Sequence, residues 1–231
     1  MAKPAPIKPE LALRERNKVD KRERIRAAAA ELFTRQGYAD ATMRQIAAQA
    51  HVGLGTLFNY AEDKRDLVFL IFNDELQQLT DGVLAEKDAS LPLLEQLTAI
   101  FRAHYRFFGN RPDLARILLQ ELTFYSQGKH AGEFQQIRQR LIAGIESRVA
   151  AAQEASQVRR GESAELIARL LFFVYSSAVR WWIAAPKPDA AKGLAELRLL
   201  LEIQMEGLAP GTGIGSARTP LELKPAARRG A

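Results

Sequence analysis

Apolar residues recur three and four positions apart along most of the chain, and no stretch alternates apolar with polar residues as a half-buried strand would. Ile25, Ala28, Ala29, Leu32 and Phe33 trace one face of a helix that begins near Asp20 and stops at Gly37. Met43, Ile46, Ala47 and Ala50 line a second helix of barely two turns. It opens on Thr42 and Gln45, the pair that can close two orphan amides reciprocally as a capping box. A break at His51–Gly53 leads to a third short helix whose inner face is Leu54, Leu57 and Phe58. Longer helical segments follow: Lys64 to about Ala85, Pro92 to Phe108, 112–125 with Pro112 in its first turn, 133–156, Ala164–Ala184 and 189–208. The pattern predicts an all-α fold, with three small helices at the N-terminus and a helical bundle behind them.

Composition and charge divide this picture further. Residues 1–19 hold three prolines and several basic residues and read as a flexible basic arm. Residues 211–231 combine Gly, Pro and basic residues without periodicity and read as a disordered tail. Between them, 20–68 is expected to form one domain and 69–210 another. Residues 1–62 carry eleven Lys and Arg against seven Asp and Glu, whereas 63–210 carry eighteen against nineteen. A polyanion, if one is bound, would therefore meet the N-terminal part. Cysteine is absent, which excludes disulfides and thiolate metal sites. No run of about 18 apolar residues and no signal-peptide pattern is present, so no membrane partner is expected and the chain reads as cytoplasmic.

A short capped helix, a turn of about four residues and a second short helix make a helix-turn-helix, whose second helix fits the DNA major groove while the first crosses the backbone. The stretch "TMRQIAAQAHVGLGTLFNYAEDKRDLV" (42–68) resembles the DNA-binding segment of the tetracycline-repressor (TetR) family. The resemblance rests on Thr42, Ile46–Ala47, Ala50, Val52, "GTLFNY" at 55–60, Lys64 and Leu67, with Leu32, Phe33, Gly37 and Tyr38 before them. It covers roughly residues 22–70; the rest matches in length and helical character.

The resemblance implies a homodimer that binds double-stranded operator DNA through a helix-turn-helix head and senses a small-molecule effector in its body. It points to Thr42, Tyr60 and Lys64 as phosphate contacts, which set position and make affinity salt-dependent. Arg44, Gln45, Leu54, Gly55, Thr56 and Asn59 are the candidates for base edges. Three residues depart from the family pattern. His51 replaces a glycine at a turn needing left-handed backbone, Gly53 replaces a capping serine, and Ala61 replaces a large aromatic, which predicts a looser junction with the next helix. Leu54 also replaces a common polar residue.

No catalytic constellation stands out. His51, His104 and His130 lack metal-ligand spacing, and a Ser-His-Asp hydrolase would need strands that this pattern does not offer. Neither enzyme activity nor a cofactor nor a metal is expected. The second half is rich in aromatics. The resemblance implies an effector cavity there, apolar or aromatic in preference, with Phe101, Tyr105, Leu118, Leu122, Tyr125 and Tyr175 as its candidate lining. Two apolar stripes run along 164–184: Ile167, Leu171, Val174, Ala178 and Trp182, and beside them Leu170, Phe173, Ser177 and Trp181. A small bundle buries one and leaves one for a partner. Val174, Ala178, Trp181, Trp182, Leu197 and Leu201 are the candidates for a dimer interface. The expected function is a ligand-responsive transcriptional regulator, a repressor released from a palindromic operator by its effector. The alternative is an all-α small-molecule-binding or scaffold protein without specific DNA binding.

Overall fold

The computed structural model of the 231-residue chain describes residues 9–86 and 90–210; the predicted tail at 211–231 lies outside the described residues. Within them every regular element is helical: α1 Pro9–Arg35, α2 Met43–Gln49, α3 Leu54–Phe58, α4 Lys64–Ala85, α5 Leu93–Asn110, α6 Pro112–Glu121, α7 Ala131–Glu154, α8 Ala164–Ile183 and α9 Ala190–Leu208. The segment expected to be one helix over 112–125 is α6 followed by a single 3₁₀ turn, Leu122–Phe124. Residues 9–19, expected as part of a flexible arm, belong to α1. Their only proline is the first helical residue, where a missing amide costs nothing, and good helix formers follow it.

Local chemistry sets the helix ends. Gly37, at φ +89, takes the left-handed backbone that stops α1. Asp63, Ser163 and Asp189 each accept a backbone N–H at the start of α4, α8 and α9. The first three helices bury Ile25, Leu32, Phe33, Ile46 and Leu57 into a small core. Ala61 belongs to that core and is fully buried, so the expected loose junction is absent. One side of α4 packs on α1 and another on α7, so α4 belongs to both halves. Ion pairs tie α4 to each of them. Arg22 of α1 grips Asp74 through two hydrogen bonds of 2.6 and 3.0 Å, and Arg111 pairs with Glu75.

In the body, α7, α8 and α9 stack in sequence and α5 closes against α9. Contrary to the sequence expectation, α8 is long and apolar enough to cross a membrane by length and composition. Its apolar residues split between two faces, the pattern of a bundle helix. Ile167, Leu171, Tyr175, Val179 and Trp182 point inward. Leu166, Leu170, Phe173 and Trp181 point outward, the last with 76% of its surface exposed, and Leu199, Leu200 and Ile203 of α9 are exposed as well.

This corrects half of the expected dimer interface. Trp182 is buried in its own chain. Its ring lies 4.6 Å from that of Tyr105, and its indole N–H donates to the Asp189 carbonyl at 2.8 Å. Gly193 admits that ring, since a Cβ there would lie 2.4 Å from it. Leu197 and Leu201 are fully buried, because they fall on the α9 face that closes on α5 and α8. Val174 and Ala178 are half-buried at the border, and Trp181 alone of the six stands well exposed.

Candidate nucleic-acid interface and effector cavity

The head is built from bonds that end on its own backbone. Thr42 and Gln45 form the expected capping box: the Thr42 amide donates to Gln45 Oε1 at 2.9 Å, and the Gln45 amide donates to Thr42 Oγ1 at 3.3 Å. The Thr42 hydroxyl also donates to Gln45 Oε1, so this oxygen is used twice and the Gln45 amide nitrogen is what remains for DNA. Arg44 is exposed beside it. His51 adopts φ 52, the left-handed turn expected of a glycine substitute. Arg24 of α1 donates to the carbonyls of Ala50 and His51 at 3.1 and 3.4 Å, closing the end of α2 where it meets the turn. Sequence reasoning did not single out Arg24, because nothing local to α1 shows what it meets 26 residues later.

Helix α3 starts at Gly53, which caps without a side chain. Gly55 and Asn59 are exposed, while Leu54, Thr56 and Tyr60 are half-buried. Leu57 is fully buried, as expected, but Phe58 is 42% exposed. Five residues make little more than one turn, so 57 and 58 point about 100° apart and both cannot face one core. Phe58 is therefore an outward residue of the reading helix that the sequence reading placed inside. Two expected phosphate contacts are partly engaged. The Tyr60 hydroxyl donates to the Lys18 carbonyl at 3.3 Å. The Lys64 ammonium donates to the carbonyls of Tyr38 and Ala39 at 2.7 and 2.8 Å and lies over the Tyr38 ring.

Behind α3 lies a buried polar junction. The Asp66 carboxylate accepts from the Tyr125 hydroxyl, from the Glu62 amide at 2.9 Å and from the Lys129 amide at 3.1 Å. Burial pushes its pKa up, but those three hydrogen bonds and the nearby His130 outweigh it and hold the carboxyl below its ordinary range. Burial, and then the bond to Asp66, push the Tyr125 phenol far above its ordinary range. The Tyr125 ring stacks on Phe69 at 3.6 Å, and its oxygen accepts from the His130 amide at 3.3 Å. The His130 imidazole donates through Nε2 to the Tyr60 carbonyl at 2.8 Å, just past the end of α3. Gly128 sits at φ +119, and a Cβ there would lie 2.4 Å from Asp66 Oδ1, so only glycine fits. Tyr125 is thus a strut between head and body and does not line the cavity as expected: the 3₁₀ turn before it swings its ring onto α4.

A cavity of about 80 Å³ lies in the body, between α4, α5, α6, α7 and α8. Leu118, Leu122 and Tyr175 line it as expected. Phe101 stands behind the wall, stacked on Tyr175 at 4.4 Å, and Tyr105 is turned toward Trp182. Both expectations fail for one reason, that α5 presents His104 and Phe108 to the cavity and gives Phe101 and Tyr105 to the packing against α8 and α9.

Apart from the hydroxyls of Thr80, Tyr175 and Ser176, the wall is apolar with three nitrogen-bearing exceptions. His104 is buried, and its Nδ1 donates to the Ile100 carbonyl at 3.0 Å. Burial drives its pKa down to about 4. Among the described residues Arg180 donates only to the backbone carbonyls of Ser176 and Leu119, and burial lowers its pKa. Arg138, half-buried at the same cavity, has no carboxylate within ion-pair distance among the described residues. The sequence held no signal for these two arginines, which resemble surface charges until the bundle closes around them. No cluster of potential metal ligands occurs among the described residues.

Comparison with known proteins gives two family matches. Residues 25–71 match the model for bacterial regulatory proteins of the tetR family, and residues 90–185 match that for the tetracyclin repressor-like C-terminal domain. The HTH-type transcriptional regulator HbdR of Aromatoleum sp. is 24% identical over 182 residues, spanning 79% of each chain. The FadR regulator of Bacillus subtilis, solved with stearoyl-CoA, superposes with a TM-score of 0.63 at 20% identity, over 80% of this chain and 98% of that one. The FadR repressor of Thermus thermophilus, solved with lauroyl-CoA, superposes with a TM-score of 0.59 at 26% identity, over 89% of this chain and all of that one.

Proposed function

The chain belongs to the TetR family of bacterial transcriptional regulators, and we propose that it is a dimeric repressor whose head grips a palindromic operator and whose body releases it when an apolar anion fills the cavity. Acting on DNA, it works in the cytoplasm. The exposed face of α3 with Arg44 reads the groove, and Thr42, Tyr60 and the remaining Lys64 proton meet phosphates. The outward stripe Leu166–Leu170–Phe173–Trp181, with Leu199 and Ile203, supplies the surface for a second copy, which sets two reading helices about one DNA turn apart.

The observation that carries the ligand response is the buried junction. The cavity wall includes Leu122 and Phe134. Phe134 packs edge-on against Phe69, on which Tyr125 stacks. Tyr125 holds Asp66, and His130 holds the Tyr60 carbonyl at the end of the reading helix. A ligand that parts α6 from α7 therefore pulls on two bonds to the head. It shifts the equilibrium only by its preference for the parted state.

The effector class follows from charge. Arg138 and Arg180 bring to a largely apolar cavity two guanidiniums that have no carboxylate partner among the described residues, which suits an apolar molecule with an anionic end. The acyl-CoA molecules held by the two FadR proteins belong to that class. Loss of DNA binding is disfavoured, because the capping box, the left-handed turn and the exposed α3 face are all intact.

Fluorescence anisotropy with the duplex upstream of the coding region tests this reading. Affinity falls steeply with salt, favours a palindrome over random duplex, and drops on adding lauroyl-CoA. Tyr125→Phe keeps the first two properties and blunts the third. Salt-independent or non-selective binding overturns the regulator reading; operator binding that ignores lauroyl-CoA and other apolar anions overturns the effector class.

A further inference from the structure

The His104 imidazole is fixed in one tautomer by its neighbour. A carbonyl can only accept, so the bond to Ile100 at 3.0 Å places the ring proton on Nδ1 and leaves Nε2 a bare acceptor. The side chain is buried and lines the cavity, and no protein donor pairs with Nε2 among the described residues. The other polar groups around the cavity are the hydroxyls of Thr80, Tyr175 and Ser176 and the guanidiniums of Arg138 and Arg180. An unpaired acceptor in an apolar wall is costly and is rarely left so in a folded protein.

We infer that His104 is a specificity residue, which accepts a hydrogen bond from a hydroxyl on the buried end of the effector. The inference rests on the cavity being the effector site. Two neighbouring guanidiniums disfavour an ammonium there, so the donor is a neutral hydroxyl. The imidazole stays uncharged at neutral pH, consistent with an acceptor and not a cation. At about 80 Å³ the cavity is roughly half the ~150 Å³ that admits benzene, so it takes the tip of a molecule and not the whole of it.

A matched pair of carboxylates tests this: 8-hydroxyoctanoate and nonanoate have the same number of heavy atoms and differ in a terminal hydroxyl against a methyl. By transfer from water alone nonanoate binds better, because the hydroxyl loses hydration on entry. With His104 as acceptor, calorimetry on the full-length protein gives the hydroxy acid an advantage of about tenfold or more. His104→Phe reverses the order, whereas His104→Gln, which keeps an acceptor, preserves it; thermal melts establish that both variants fold. Equal or tighter binding of nonanoate to the wild type overturns the inference, as does an unchanged preference in His104→Phe. Should both acids bind alike and still release operator DNA, the effector site stands and only the role of His104 falls. Should neither bind, the cavity is not the effector site and both readings fall, while operator binding is judged separately by its salt dependence.

Discussion

Head and body treat their polar side chains in opposite ways. In the head, Thr42, Gln45, Arg24 and Lys64 all close on neighbouring backbone or on each other, so turn and helix ends are held before any partner arrives. In the body, His104 and Arg138 face an apolar cavity with capacity to spare. A surface that must fit a fixed groove gains affinity from being preorganised, since ordering costs are met in folding and not in binding. A sensor gains from being incomplete, because only a state with unmet contacts can be shifted by a ligand that meets them.

The largest effect that would sharpen this contrast lies on adjacent residues of α3. Leu57→Ala empties a fully buried position in a small core and costs about 4 kcal/mol, enough to melt the head apart from the body. A two-step thermal transition, or operator binding lost at temperatures where the body stays helical, reports it. Phe58→Ala removes an exposed ring and changes stability by less than about 0.5 kcal/mol, yet weakens operator binding. If Phe58→Ala destabilises as much as Leu57→Ala, then Phe58 is core after all and the outward reading of α3 is wrong.

A smaller effect sets the body's buried imidazole against pH. His104 titrates near its ordinary value when unfolded and near about 4 when folded, so the unfolded chain binds the extra proton between those values. Stability contributed by the neutral ring is complete above about 6.5 and is lost as pH falls toward 4, by up to roughly 3 kcal/mol. Urea melts at pH 7 and pH 4.5 measure the loss, and His104→Phe flattens the slope across that window. A slope unchanged in the variant assigns the pH dependence to other groups. The buried Asp66, whose carboxyl is held below its ordinary range, adds its own loss only at still lower pH.

Helix periodicity made the order of helices and the motif readable from sequence, because capping and amphipathic spacing are local. Thr42 with Gln45 and the strained His51 were both visible that way. What escaped depends on which of two adjacent apolar residues turns inward. Phe58 against Leu57, and Trp182 against Trp181, differ by one position in sequence and by about 100° around the helix, and only the packing of other helices decides between them. The cavity escaped further. Phe101 and Tyr105 have the same character as Leu118 and Tyr175, yet α5 gives them to the core, while Arg138 and Arg180 acquire meaning only once α4 to α8 enclose a space. Tyr125 and Asp66 lie 59 residues apart, and no local pattern joins them.

The smallest effect tests whether the head's rigidity lies in its backbone or in a side chain. His51 holds φ 52, which disfavours an ordinary residue by about 1–2 kcal/mol, less for His, whereas glycine adopts it freely. Glycine also loosens the unfolded chain by roughly 0.5–1 kcal/mol, so the two terms nearly cancel. His51→Gly therefore keeps stability within about 1 kcal/mol of the wild type, with any change upward. The carbonyl that Arg24 grips belongs to the backbone and survives the substitution, so the turn keeps its shape. Operator selections with both proteins should return the same preferred sequence. A marked loss of binding at unchanged stability would mean that the imidazole itself touches DNA, and that the turn is part of the reading surface as well as its support.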